Sequence, residues 1–137
     1  MMSNFFVFDT NSIISAALTP QSTNRKAFDK ALVLGELVTS NKTIEELIEV
    51  LFRRKFDKYF LNDSERWIII NKIEINAKTF TPSVTINDCR DPKDNKFLEL
   101  AITANASCLI TGDKDLLVLH PFRSIPILNA VDFINNF

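Results

Sequence analysis

Phe5-Phe6-Val7-Phe8-Asp9-Thr10-Asn11 is the stretch that decides the fold: a short, continuous apolar run of β-forming residues that stops on a carboxylate. Such a run reads as a buried strand. The pattern returns in Cys108-Leu109-Ile110-Thr111-Gly112, which runs into Asp113-Lys114-Asp115. A third version starts at Val84-Thr85-Ile86 and leads to Asp88 and then to Arg90-Asp91-Pro92-Lys93-Asp94. In a parallel sheet all of these acids fall at one edge, the carboxyl ends of the strands. Carboxylates crowded there repel one another unless a cation or shared protons sit between them. An oxygen-only set suits a hard cation, Mg²⁺ or Mn²⁺. Each aspartate taken singly also reads as the cap of the helix that follows. Only their convergence favours a metal.

Working outward, strand and helix alternate from end to end. The spacing of Ala27, Ala31 and Leu34 predicts a first full helix over 23–34, stopped by Gly35, after a loop at Thr19 to Ser22. Glu36 to Thr39 reads as a second strand. Ser40 or Asn41 caps a helix over 42–53 with the stripe Ile44, Leu47, Ile48 and Leu51. Asn62, with Glu65 three residues on, starts a helix to Ala77, followed by a loop from Thr79 to Pro82. Val84 to Ile86 is read as the third strand, and Asp91-Pro92 opens a helix carrying Phe97, Leu98, Ala101, Ile102 and Ala104. Ser107 to Thr111 is the fourth strand, Asp113 to Leu119 a short helical turn, and Pro126 to Leu128 the fifth strand. Asn129 caps a last helix over 130–136. Parallel strands need crossover connections, so this alternation predicts a parallel sheet covered on both faces. Ligands gather where the strand order reverses, and strands one and four side by side would put Asp9 and Asp113 there.

A chain of 137 residues that is 46% hydrophobic, with only two glycines, is expected to form one globular domain. Cys89 and Cys108 have no metal spacing and read as free buried thiols of a reducing cytoplasm. Met-Met-Ser-Asn lacks the basic segment of a signal peptide, and no run is long enough to cross a membrane, so a cytoplasmic protein is expected. The net charge of −1 gives no whole-molecule attraction for nucleic acid; Arg53, Arg54, Lys55 and Lys58 form the densest local basic run.

Among the acids, Asp9 ends its strand directly, Asn11 adds a neutral oxygen, and Thr10 or Ser12 could supply the cap in its place. Asp113 follows Gly112, which would allow a close backbone approach. Thr111 could orient a ligand, and Asp115 is an accessory candidate. Asp91 is the natural cap before Pro92, whereas Asp94 falls in the first turn of the same helix and aims at the edge. Glu45, Glu46 and Glu49 lie on a helix that starts at that edge; Glu46 is preferred to Glu45, and the helical wheel does not decide. His120, the only histidine, stands before Pro121 without a serine or cysteine motif, so Ser-His-Asp chemistry is not expected. No Gly-x-x-x-x-Gly-Lys or Gly-x-Gly-x-x-Gly loop is present to cradle a nucleotide.

Val7-Phe8-Asp9-Thr10-Asn11, Ile44-Glu45-Glu46-Leu47, the run Cys89 to Leu98 and Thr111-Gly112-Asp113-Lys114-Asp115-Leu116-Leu117 together resemble the PIN-domain family. The resemblance is closest to its bacterial toxin–antitoxin branch, related to VapC-type ribonucleases, and covers essentially the whole chain. It implies a three-layer α/β/α sandwich with a central parallel sheet of about five strands, in one PIN-like nuclease domain over 1–137. It also implies an acidic quartet, Asp9, Glu46, Asp94 and Asp113, that binds Mg²⁺ or Mn²⁺ and hydrolyses RNA, with Asn11, Asp91, Thr111 and Asp115 accessory. RNA would be contacted by Arg53, Arg54, Lys55, Lys58, Lys93, Lys96 or Lys114. The implied partners are a cognate antitoxin and a second copy of the chain, the latter through the helix face bearing Trp67 and Ile70. The chain has Arg53-Arg54-Lys55 where the family often has Arg-Pro-Lys, and Thr19 to Ser22 lacks the family's usual glycines.

Three other readings compete. A receiver domain needs an acidic pair at the first strand and a lysine after the fifth, and Asp9 has no acidic neighbour while Ile127-Leu128-Asn129 has no lysine. A haloacid-dehalogenase phosphatase needs an aspartate two residues after its nucleophile, where this chain has Asn11. The remaining alternative is a non-catalytic PIN-like module that binds nucleic acid or protein, which metal titration distinguishes.

Overall fold

In the computed structural model, which describes residues 4–137, the strands are β1 (Phe5–Phe8), β2 (Glu36–Thr39), β3 (Ala77–Thr79), β4 (Cys108–Ile110) and β5 (Ile127–Leu128). The helices are α1 (Thr10–Leu18), α2 (Thr23–Leu34), α3 (Asn41–Leu51), α4 (Asp63–Asn76), α5 (Asn95–Ala104), α6 (Lys114–Leu117) and α7 (Ala130–Asn136), with 3₁₀ turns at Arg54–Tyr59 and Pro92–Asp94. All four strand pairings are parallel, in the order β3-β2-β1-β4-β5. The chain builds outward from β1 to β3 and then restarts at β4, so the order reverses between β1 and β4.

The period-2 alternation of side chains divides the core in two. Phe6, Phe8, Leu37, Cys108 and Ile110 face one side and pack against α1, α2, α3, α4 and α7, with Phe133 of α7 edge-on to Phe6 at 5.4 Å. Val7, Val38, Leu109 and Ile127 face the other and pack against Phe97, Leu98 and Ala101 of α5 and Leu116 of α6. This is the expected α/β/α sandwich. Burying Phe6, Val7, Leu109 and Ile110 completely stabilises the fold by about 1.5–3 kcal/mol per side chain.

The third strand is not where the sequence pattern puts it. Val84-Thr85-Ile86 is no strand: Ile86 N–H donates to the Glu99 carboxylate (3.0 Å) and Ser83 N–H to Thr103 Oγ1 (3.2 Å), so α5 side chains satisfy this backbone. Ile86 is buried against the α5 side of the sheet. The third strand is Ala77–Thr79, in residues expected to be the end of α4 and a loop. A second difference is α1, which no helical stripe announces; Asp9 caps it and Ile13, Ile14 and Ala16 are buried beneath it. The helix expected from Pro92 is split into a 3₁₀ turn and α5.

Gly35 ends α2 as expected, and its lack of a side chain is also required there. Gly35 passes so close to Asn4 that an added Cβ would lie 2.0 Å from its carbonyl oxygen, whereas a Cβ on Gly112 would meet nothing within 4 Å. Gly112 therefore leaves open space at the sheet edge. Cys89 and Cys108 are free and buried. No helix among the described residues is long and apolar enough to cross a membrane.

Candidate active site

Phe8 pairs with Ile110 across β1 and β4, so the two strands end side by side and Asp9 N–H donates to Ile110 O at 3.2 Å. That register sets Asp9 beside Thr111, whose buried hydroxyl donates to Asp9 Oδ2 at hydrogen-bond distance. Ser12 N–H donates to the other oxygen, Oδ1, at 2.9 Å, so Asp9 is both the cap of α1 and a member of the acidic edge. Thr111 Oγ1 in turn accepts from Asp113 N–H (2.9 Å), and Asp113 Oδ1 accepts from Asp115 N–H (2.9 Å) at the start of α6. Capping and convergence thus coexist on the same aspartates.

Asp94 differs from its neighbours. It stands at the junction of the 3₁₀ turn and α5 without a side-chain capping bond, and its Oδ2 is buried with no hydrogen-bond partner. Burial foremost, then a hydrogen bond with Asp113 and the charges of Asp113, Asp91 and Glu46, push its carboxyl up to about 7. Burial also raises Asp9, against the pull of its hydrogen bonds from Ser12 and Thr111, and the charge of Asp113 adds to the rise. Glu46 reaches the same place from α3, where its Oε2 accepts from Thr10 Oγ1 and its Oε1 from Lys96 Nζ (2.7 Å). Glu45 is exposed.

Two clefts meet at these acids. One, of about 220 Å³, is lined by Asp9, Asn11, Glu46, Asp94 and Asp113 together with Asp91 and the cations Arg53 and Lys93. The other, of about 610 Å³, shares Asp9, Asn11 and Asp113 and continues along Ser15, Asn24, Gly112 and Asn129, without a cation in its lining. Asp91 caps the 3₁₀ turn through Lys93 N–H (3.1 Å). Asp115 is tied to Arg90 by two hydrogen bonds of 2.9 and 3.2 Å.

The basic residues divide. Arg53 and Lys93 border the acidic cleft, with Arg53 also paired to Glu49 (2.9 Å). Lys96 is engaged by Glu46, and Arg54, Lys55, Lys58 and Lys114 line neither cleft. The ammonium groups of Lys55 and Lys58 lie over Phe56 and Tyr59 at 5.1 and 5.4 Å. The helix face expected for dimerisation does not exist as such, because Ile70 is wholly in the core while Trp67 is half-exposed against Phe52. Sequence reasoning missed Thr10 as the partner of Glu46, and Asn24 and Asn129 as lining. Thr10 lies within the Asp-Thr-Asn motif and could have been flagged; the two asparagines come from distant helix starts with no linking signal.

Among the described residues, no three acidic, histidine or cysteine side chains form a ready-made metal cage. Mg²⁺ does not require one, since it usually keeps several waters and takes one or two carboxylates. The donor set here is all oxygen, and the orphaned Asp94 Oδ2 is a buried acceptor in need of a cation or a proton. The residues fit the ion.

A PIN domain profile matches residues 6–115, from β1 through the acidic start of α6. The chain belongs to the PIN-domain family. An uncharacterized protein of Methanocaldococcus jannaschii, MJ1680, is 34% identical over 117 residues, covering 83% of this chain and 74% of that protein. The PIN fold is also similar to a chain in the structure of VapBC2 from Rickettsia felis bound to a DNA fragment from its promoter. That match has a TM-score of 0.61 at 12% identity and covers 91% of this chain and 98% of the other. PAE2754 from Pyrobaculum aerophilum gives a TM-score of 0.60 at 13% identity over 98% and 91% of the two chains. At such identities these structures speak for the fold.

Proposed function

We propose that this single PIN-like domain is a divalent-metal-dependent endoribonuclease and the toxin of a type II toxin–antitoxin pair. The observation that carries the reading is the meeting of Asp9, Asp94 and Asp113 at the switch point, with Glu46 opposite and one Asp94 oxygen left unpartnered. Asp9, Asp94 and Asp113 would hold Mg²⁺ or Mn²⁺, with Glu46 as the fourth acid of the cleft. Bound there, the ion would supply positive charge at a phosphodiester and lower the pKa of a water in its shell. The protein's own part is positioning. Thr111 fixes Asp9 and the Asp113 backbone, and Arg53 and Lys93 offer charge to phosphates entering the small cleft. The cation-free larger cleft, with Asn11, Asn24 and Asn129, suits a nucleoside more than a phosphate. Two clefts joined at the acids suit a polymer crossing the edge, which favours cutting within a chain.

The toxin assignment draws on membership of the PIN family and on the likeness of the fold to a VapBC2 chain. A small antitoxin protein would block the edge, with an arginine placed among the carboxylates. A homodimer belongs to the same reading, and exposed Trp67, Ile68 and Ile75 on α4 offer apolar surface for it. A monomer at high concentration in sedimentation would refute that part. Harmless overexpression of an active chain would count against the toxin role while leaving the nuclease reading intact.

The deciding experiment uses purified chain, a panel of RNAs and matched DNAs, and Mg²⁺ or Mn²⁺. RNA should be cut to products with 5′-phosphate and 3′-hydroxyl ends, and EDTA should stop the reaction. The same products in EDTA would sink the metal mechanism. Stoichiometric metal or RNA binding without cleavage would favour the non-catalytic module.

A further inference from the structure

The four acids are not equivalent, and the difference lies in a lysine. Lys96 Nζ stands 2.7 Å from Glu46 Oε1, in a pair whose side chains keep only 21% and 18% of their exposure. Thr10 Oγ1 takes the other oxygen of Glu46. Glu46 comes from α3 and Lys96 from α5, so the pair ties together the two helices that start at the acidic edge. Glu46 lines the acidic cleft and Lys96 does not. The ammonium is thus bonded to a carboxylate of the cleft without itself lining the cleft.

Set against this, Asp94 has a buried oxygen with no partner, and Asp9 and Asp113 take their hydrogen bonds from backbone N–H groups and Thr111. The charge of Glu46 is already answered, whereas no cationic side chain is bonded to Asp9, Asp94 or Asp113 among the described residues. A two-ion site needs carboxylates that bridge or serve ions about 3.5–4 Å apart. A second divalent ion on Glu46 would have to approach a fixed ammonium on the same carboxylate, and in a partly desolvated site that repulsion is weakly screened.

We infer that Lys96 is a built-in cation that fixes Glu46 in place and restricts the site to one divalent ion, held by Asp9, Asp94 and Asp113. This rests on the metal-dependent reading above and assigns the roles within it. Lys96 is then a positioning residue, and Glu46 a fixed, neutralised acid of the cleft wall.

The test counts ions directly. Mn²⁺ alone is titrated into the full chain, with free ion read by electron paramagnetic resonance and folding checked by circular dichroism. Wild type should bind one Mn²⁺ per chain, Lys96→Arg also one, and Lys96→Met a second, because removing the ammonium frees Glu46. Glu46→Gln should leave wild-type affinity within about threefold, while Asp94→Asn weakens it by tenfold or more; this pair of variants decides even if Lys96→Met does not fold. Two ions in wild type, an unchanged single site in folded Lys96→Met, or equal losses in Glu46→Gln and Asp94→Asn would overturn the inference. No binding at all in wild type would instead sink the metal reading itself.

Discussion

Arg66 and Asp94 are both charged groups taken out of water, and the protein treats them in opposite ways. Arg66 is 4% exposed, yet its guanidinium donates to Leu51 O (2.8 Å), Asp57 (2.6 Å) and Asp63 (3.1 Å) and lies over the rings of Phe60 and Phe52 at 4.6 and 5.5 Å. Every feature there serves structure, since Arg66 ties α4 to the end of α3 and to the 3₁₀ turn that follows. Asp94 has no cation, an unpartnered buried oxygen and three acids nearby. Buried polar groups are almost always satisfied, because leaving one orphaned costs about 1–3 kcal/mol. The contrast teaches that the fold is able to satisfy a buried charge, and that at the sheet edge it is left open to an outside partner.

The largest expected effect of breaking that contrast is at Asp94. Asp94→Asn should lower RNA cleavage on the order of 10²–10³-fold, the scale of losing one preorganised electrostatic group. Its metal-free stability should move the other way. A carboxyl whose folded pKa is raised adds stability that is complete below the ordinary carboxylate range and is lost as pH rises through about 7. Metal-free wild type should therefore weaken from about pH 4 to pH 7. At pH 8 the asparagine variant should be the more stable by about 1–2 kcal/mol, moderated because Asp94 is only half-buried. Urea unfolding in EDTA across pH reads both curves, and a flat wild-type profile would argue against the crowding.

Next in size is Arg66→Ala. It should cost about 2–3 kcal/mol, for the Leu51 carbonyl left unpaired and the lost packing on two rings, since Asp57 and Asp63 are exposed enough to return to water. Cleavage per folded molecule should be unchanged. A large loss of activity in fully folded variant would erase the distinction between scaffold and site.

The smallest effect sharpens the rule. Thr39 Oγ1, at the end of β2, is also buried without a partner, but it is neutral. Thr39→Val removes that orphan and keeps the shape, so stability should change by no more than about 1 kcal/mol, in the stabilising direction. Loss of metal-dependent activity in this variant would mean that orphaned neutral groups also belong to the site.

Much of the molecule is legible in its residues, for reasons that particular segments make plain. β1 and β4 are continuous apolar runs ending on acids, so the residues alone announce both strands. That the two lie side by side, which brings Asp9 and Asp113 together, comes from the pairing of Phe8 with Ile110. β3 is not legible: Ala77-Lys78-Thr79 has little β character, as an edge strand can afford, while Val84 and Ile86 use theirs to pack on α5. α1 is hidden because Thr10-Asn11-Ser12 and β-branched Ile13-Ile14 are poor helix formers, held by the Asp9 cap and burial. Choosing Glu46 over Glu45 needs the rotation of α3 about its own axis, which no local pattern records. Lys96 reads from sequence as a contact for RNA because ion pairing across 50 residues leaves no trace in spacing.

The central claim, that the acidic edge is built for a divalent cation with Asp94 as its open ligand, is tested most directly by melting wild type and Asp94→Asn near neutral pH with and without Mn²⁺. Wild type should gain roughly 2–3 kcal/mol at a hundredfold excess over its dissociation constant, and the variant clearly less. Equal gains in both proteins would contradict the assignment of Asp94.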